Sequence, residues 1–185
     1  MVNSSKPVAA LFGGSFDPPH AGHQEIVEKA LASLEIDRLI VLPAYLNPFK
    51  SSSVANAEQR LAWCRQLFGQ IPRVIVDDYE IRQGKSIRTA QSVAHFNQTY
   101  DVKYLIIGSD NLSTLTQWHK FTWLNDHVTW VIATREGYPL KTEMLRSWEV
   151  LKTNTPVSSS HIRKTMETDH VDTKIKHSVK QILKG

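Results

Sequence analysis

Short, unbroken apolar runs alternate with helix-length segments along this chain of 185 residues, and that alternation limits the fold more than any other feature. The runs are Val8 to Phe12, Arg38 to Leu42, Arg73 to Val76, Lys103 to Ile107 and His127 to Ala133, with a shorter one at Trp148 to Leu151. None alternates apolar with polar, so each reads as a strand buried on both faces. Between them lie segments with helical spacing. Gly22 to Leu34 puts Ile26, Ala30, Leu31 and Leu34 on one face. Ala57 to Phe68 does the same with Leu61, Cys64, Leu67 and Phe68, and Gly69 and Pro72 end it. Thr89 to Phe96 and Ser113 to Leu124 read as further helices. His161 to Met166 and Thr173 to Leu183 close the chain, the last with the stripe Ile175, Val179, Ile182 and Leu183. Strands of this kind with helices between them predict an α/β fold, a doubly wound parallel sheet covered on both faces.

The length suits a single domain over 1–185, with a helical C-terminal portion at about 158–185. There is no internal repeat and no low-complexity tract. The 22 Lys and Arg against 18 Asp and Glu leave a net charge of +4, spread without a basic block. This speaks against nucleic acid as a partner and suits a small anionic ligand. One cysteine, Cys64, cannot close an intrachain disulfide and reads as an inert thiol on a helix face. No apolar run reaches the ~20 residues of a membrane span, and none of signal-peptide length precedes Gly13. The expectation is a soluble, cytoplasmic protein with no membrane partner.

In a sheet of this kind, chemistry gathers in the loops after the strands. The first is Gly13-Gly14-Ser15-Phe16-Asp17-Pro18-Pro19-His20-Ala21-Gly22-His23. Two glycines admit a ligand close to the backbone, and the helix that follows offers free N–H groups to an anion. His20 and His23 stand three apart on the first helical turn, where two imidazoles can donate hydrogen bonds to phosphate oxygens. A plain turn with two exposed histidines fits the same spacing. No Cys or further His lies at ligand spacing, so no protein-bound metal is expected. The loop is neither the G-x-G-x-x-G nor the G-x-x-x-x-G-K-[ST] phosphate motif. Near the other end, Pro156-Val157-Ser158-Ser159-Ser160-His161-Ile162-Arg163 precedes a helix, with hydroxyls and a guanidinium suited to phosphate.

Taken whole, the first loop resembles the signature G-[GT]-[ST]-F-D-P-x-H-x-G-H of the HxGH nucleotidyltransferase superfamily, a Rossmann-like fold. Its doubled glycine looks like the branch of bacterial nicotinate-mononucleotide adenylyltransferases. The serine run resembles the superfamily's second signature, I-S-S-[ST]-x-I-R. Gly108-Ser109-Asp110 resembles G-[AS]-D, and Arg135-Glu136-Gly137-Tyr138 resembles R-P-G-Y with Glu136 in place of Pro. Leu115 to Trp118 carries a tryptophan like the one that stacks on a pyridine ring. Lys50, in Asn47-Pro48-Phe49-Lys50, resembles a phosphate-binding lysine. One segment departs: Ser86-Ile87-Arg88-Thr89-Ala90-Gln91-Ser92 stands where the branch has S-Y-T-x-x-T, with Arg88 at the Tyr position.

The resemblance implies a nucleotidyltransferase that moves AMP from ATP to nicotinate mononucleotide, giving deamido-NAD and pyrophosphate, with Mg²⁺ carried by ATP. It implies His20, His23, Lys50 and Arg163 as catalytic residues. It implies ATP on Gly13, Gly14, Ser15, Phe16, His20, His23, Ser158, Ser159, Ser160, Ile162 and Arg163. The mononucleotide would lie on Ser15, Lys50, Arg88, Thr89, Gly108, Asp110, Trp118 and Arg135. Nicotinamide mononucleotide and phosphopantetheine remain as alternative acceptors, and a nucleotide-binding sensor without turnover as an alternative role. The oligomeric state is not readable from the sequence.

Overall fold

The structure, a computed structural model, describes residues 5–47 and 51–185. Six strands form one sheet: β1 (Val8–Gly14), β2 (Arg38–Pro43), β3 (Val74–Val76), β4 (Asp101–Gly108), β5 (Thr129–Ala133) and β6 (Trp148–Leu151). Every neighbouring pair is parallel, in the order β3-β2-β1-β4-β5-β6. The helices are α1 (Ala21–Ser33), α2 (Ala57–Phe68), α3 (Tyr79–Arg82), α4 (Thr89–Phe96), α5 (Phe121–His127), α6 (Ser159–Thr165) and α7 (Thr173–Lys184).

The unalternating strands follow from this sandwich, because each strand feeds a core on either side of the sheet. Ala10 and Phe12 of β1 point into one core, and Ala9 and Leu11 into the other. The same division holds for Leu39 and Val41 against Ile40 and Leu42 in β2, and for Tyr104 and Ile106 against Leu105 and Ile107 in β4. The first core is covered by α1, α2 and α7, through Ile26, Val27, Trp63, Phe68, Ile175 and Val179. The second is covered by α4, α5 and the segment before α5, through Val93, Phe96, Leu112, Leu115 and Leu124. Shifting any of these strands by one residue would exchange its two apolar sets, and both faces would still be apolar. The crossover connections and the caps of the flanking helices must therefore hold the register.

Local chemistry sets the helix starts. Asn56 caps α2 by accepting from Gln59 N, Ser158 caps α6 by accepting from His161 N, and Asp172 caps α7 by accepting from Lys174 N. One expected element is not there. In place of a continuous helix over 113–124 there is a single 3₁₀ turn, Leu115–Gln117, which follows another at Ser109–Asn111 and precedes the short α5. Leu112 and Leu115 are fully buried, and burying both while Trp118 also packs on that core breaks the helix. Trp118 turns extended and Lys120 takes a left-handed conformation, with φ of 57°. His127, expected to open β5, instead closes α5. The short α3 was not expected. Among the described residues no helix is long and apolar enough to cross a membrane.

Candidate active site

The strand order reverses direction between β1 and β4, and loops leaving the carboxyl ends of these two strands part there to leave a crevice. A cavity of about 340 Å³ fills it. Gly13, Gly14, Ser15, Phe16 and His23 line it from the β1 side, and Gly108, Asp110 and Asn111 from the β4 side. Arg88 and Thr89 come from the start of α4, Trp118 and His119 from the 3₁₀ region, Arg135 from the end of β5, and Ser158, Ser159 and Ser160 from the start of α6. Residues from both ends of the chain thus meet at one place.

The two histidines are held by the backbone around them. His20 is the N-cap of α1, extended rather than helical, and its Nδ1 accepts from Gly22 N at 3.1 Å. His23 lies on the first turn, and its Nδ1 accepts from His20 N at 3.1 Å. An imidazole whose Nδ1 accepts carries its proton on Nε2, so both rings are Nε2–H donors. Their centroids are 3.8 Å apart. Gly22 makes this possible: a Cβ there would lie 3.0 Å from the His20 ring. Phe16, 1% exposed, packs its ring 4.9 Å from that of His23 and serves as a core residue as much as a cavity wall.

Burial keeps both rings neutral. It lowers His20 to about 3, with the Arg135 guanidinium and His170 adding to the effect. It also holds His23 well below its usual value, aided by His20 and then Arg135. The Nε2 of His20 is buried without a hydrogen-bond partner among the described residues. A buried donor with no protein acceptor is costly unless something else supplies one. Neutral N–H donors of this kind can stabilise growing negative charge without giving up a proton.

The second motif is sewn onto the first. Ser159 Oγ donates to Pro18 O at 2.8 Å, and Arg163 donates to Asp17 O at 2.6 Å and to Ser160 Oγ at 3.1 Å. Asp17, 3% exposed, accepts in turn from the backbone N–H groups of Val54 and Ala55. The Arg163 side chain is thus bent onto the first loop and is not in the cavity wall. Ile162, expected to face a nucleotide, lies 1% exposed in the hydrophobic core under α6. Lys50 lies outside the described residues.

On the β4 side, Arg135 Nε sits 3.4 Å from Asp110 Oδ1, and Arg135 N donates to Ser109 Oγ at 2.9 Å. A Cβ at Gly108 would collide with Asp110 Oδ1 and lie 3.2 Å from Arg135 Nε, so only glycine leaves this carboxylate in place. Trp118 Nε1 is buried and also without a hydrogen-bond partner among the described residues. Arg88 is exposed at the start of α4.

Several residues carried no sequence signal. Arg60 is 1% exposed, and its guanidinium donates to four carbonyls: Ala55 at 3.2 Å, and Ser15, Ala44 and Tyr45 at 2.7 Å each. It thereby ties the loop after β1 to the loop after β2. Glu80, Ile87, Asn111 and His119 also line the cavity. Asn47 lies in its wall too, in the stretch read only for its lysine.

The family model described as cytidylyltransferase-like matches residues 11–165. A protein of Sulfurovum sp. (strain NBC37-1), named "Probable nicotinate-nucleotide adenylyltransferase", is 66% identical over 184 residues, covering 100% of this chain and 98% of that protein. A protein of the same name from Campylobacter jejuni (strain 81-176) is 44% identical over 174 residues, covering 93% of this chain and 94% of its own length. Among solved structures, Plasmodium falciparum nicotinic acid mononucleotide adenylyltransferase complexed with NaAD has a TM-score of 0.73 at 16% identity, covering 95% of this chain and 94% of that one. That likeness is one of fold, and it extends to the parallel sheet and its helices. Because the family match spans both of the loops that line the cavity from the two ends of the chain and the Sulfurovum relative runs the full length, the chain belongs to the cytidylyltransferase-like family, alongside the nicotinate-nucleotide adenylyltransferases.

Proposed function

We propose that this chain, acting as one nucleotidyltransferase domain over 1–185, transfers AMP from ATP to nicotinate mononucleotide. The acceptor's 5′-phosphate oxygen bonds to the α-phosphorus of ATP. The bond from that phosphorus to the oxygen bridging it to the β-phosphate breaks, and pyrophosphate leaves with the electron pair. The observation that carries this reading is the pair of neutral Nε2–H imidazoles at a helix start, one with its donor buried and unclaimed. Such a pair suits a reaction in which negative charge grows on phosphate oxygens and no group on the enzyme need form a covalent bond. The names of the full-length relatives support the choice of acceptor.

Gly13 and Gly14 would let the ATP phosphates approach the backbone, with Ser158, Ser159 and Ser160 at the opposite wall. Arg163 would act by fixing the first loop as well as by its charge, because it already bonds Asp17 O. Asp110 suits ribose hydroxyls, the Trp118 indole suits a pyridine ring, and Arg88 and the N–H groups near Thr89 suit the ring carboxylate. Mg²⁺ would arrive on the ATP phosphates as part of the substrate. Among the described residues no group of three His, Cys, Asp or Glu is placed to hold a metal of the protein's own.

Pyrophosphate release with ATP, Mg²⁺ and nicotinate mononucleotide tests the proposal. Release that requires this acceptor is the expected result. Release with phosphopantetheine instead, or binding of ATP without any release, would overturn it.

A further inference from the structure

Glu80 is a buried carboxyl that adenylyl transfer, as derived above, leaves unused. It lies on α3, 7% exposed, in the wall of the cavity beside Ile87, Arg88 and Thr89. Its Oε1 accepts a 2.7 Å hydrogen bond from Ser92 Oγ, and Ser92 is fully buried on α4. Among the described residues no other hydrogen bond reaches the carboxyl, which leaves Oε2 over. Pinning α3 to α4 needs only one acceptor, and an amide would supply it without the cost of burying an acid. A carboxyl kept in a cavity wall with one oxygen spare is placed to meet a ligand.

Building on the acceptor proposed above, we propose that Glu80 is a specificity-determining residue whose spare carboxyl oxygen meets the ring substituent of the pyridine mononucleotide at the start of α4. The two pyridine acceptors differ there in charge. The acid presents a carboxylate, which a protonated Glu80 can bond by donating O–H. The amide presents an NH₂, which an ionised Glu80 can accept from. An ionised Glu80 repels the carboxylate.

Burial raises the Glu80 carboxyl to about 7, with the Ser92 hydrogen bond pulling it the other way. Charged groups surround the site without changing that balance. On its own helix, Arg82 is paired with Asp78 at 2.6 Å. From α4 come Arg88 and His95, the latter stacked on Tyr79. Across the cavity stand Asp110, His119 and Arg135. The complex with the acid needs the proton, and the free enzyme loses it as pH rises through about 7. The acid's kcat/KM therefore falls above that pH, and the amide's does not.

The test is kcat/KM for both mononucleotides at saturating ATP, or Ki where turnover is too slow, from about pH 6 to about pH 8.5, in wild type and in Glu80→Gln. Both acceptors carry the same 5′-phosphate, so its titration cancels in their ratio. The expected ratio of acid to amide falls roughly 30-fold across the range in wild type and stays flat in Glu80→Gln, whose amide keeps the Ser92 bond and does not titrate. A flat ratio in wild type overturns the proposal, even where the variant does not fold. The same fall in Glu80→Gln overturns it too. Turnover of neither acceptor is a different failure: it refutes the adenylyl-transfer reading and removes this inference with it.

Discussion

Acid should destabilise this protein through the two buried histidines at the start of α1. His20 is 2% exposed and sits at about 3 in the folded chain, against 6.5 when unfolded. At pH values between these two, the unfolded chain binds a proton that the folded one refuses. Stability is then present in full above 6.5 and is lost as pH falls toward 3. At about pH 5 the loss from His20 alone is roughly 2 kcal/mol, from 1.36 kcal/mol for each unit of separation. His23 acts in the same direction because it too is held neutral. The perturbation to make is His20→Asn. Asn caps helices well and can still accept from Gly22 N, but it does not titrate. Urea unfolding at about pH 8 and about pH 5 gives the stability difference for each protein. Titrating groups away from His20, Glu80 among them, are common to both and cancel, and His23 stays depressed in both because burial is the first cause of its shift. Wild type should lose about 2 kcal/mol more than the variant on acidification. An equal loss in both proteins, or a larger one in the variant, would refute the claim that burial keeps His20 neutral. It would also undercut the neutral N–H donor on which the proposed chemistry rests.

Removing the other donor tests that chemistry directly. His23→Ala should lower kcat by roughly 10²-fold or more in a pyrophosphate-release assay, with the KM for ATP little changed. Gly108→Ala should raise the KM for the acceptor several-fold and leave that for ATP alone, because the new Cβ displaces Asp110 Oδ1; steady-state kinetics with each substrate varied would show it. Cys64 is fully buried and burial pushes its thiol up, so a thiol-reactive chromophore should find no group in the native protein and one in urea.

The layout of the sheet was legible because its signal is local. A strand buried on both faces must be apolar throughout, and runs such as Arg38 to Leu42 can be little else. The bounds of α2 and α4 also fell where the spacing put them, and for α2 Asn56 and Gly69 mark the two ends in the sequence itself. The segment before α5 was misread for the converse reason. Nothing local breaks a helix between Ser113 and Leu124; the break comes from Leu112, Leu115 and Trp118 all packing on the sheet.

The sequence by itself determined which two loops would line the cavity. Gly13 to His23 and Ser158 to Arg163 keep their chemistry in contiguous residues, and contiguity is what a sequence displays. Only the tertiary structure decided how those loops are joined and which side chains are free to act. Arg163 is turned onto Asp17 O, Ile162 is sunk in the core, and Arg60 gathers four carbonyls from segments far apart in the chain. It also decided the state of the groups: His20 is neutral and Glu80 is protonated into the neutral range because each is buried. Burial is a sum over neighbours drawn from the whole chain, and no local pattern of residues encodes it.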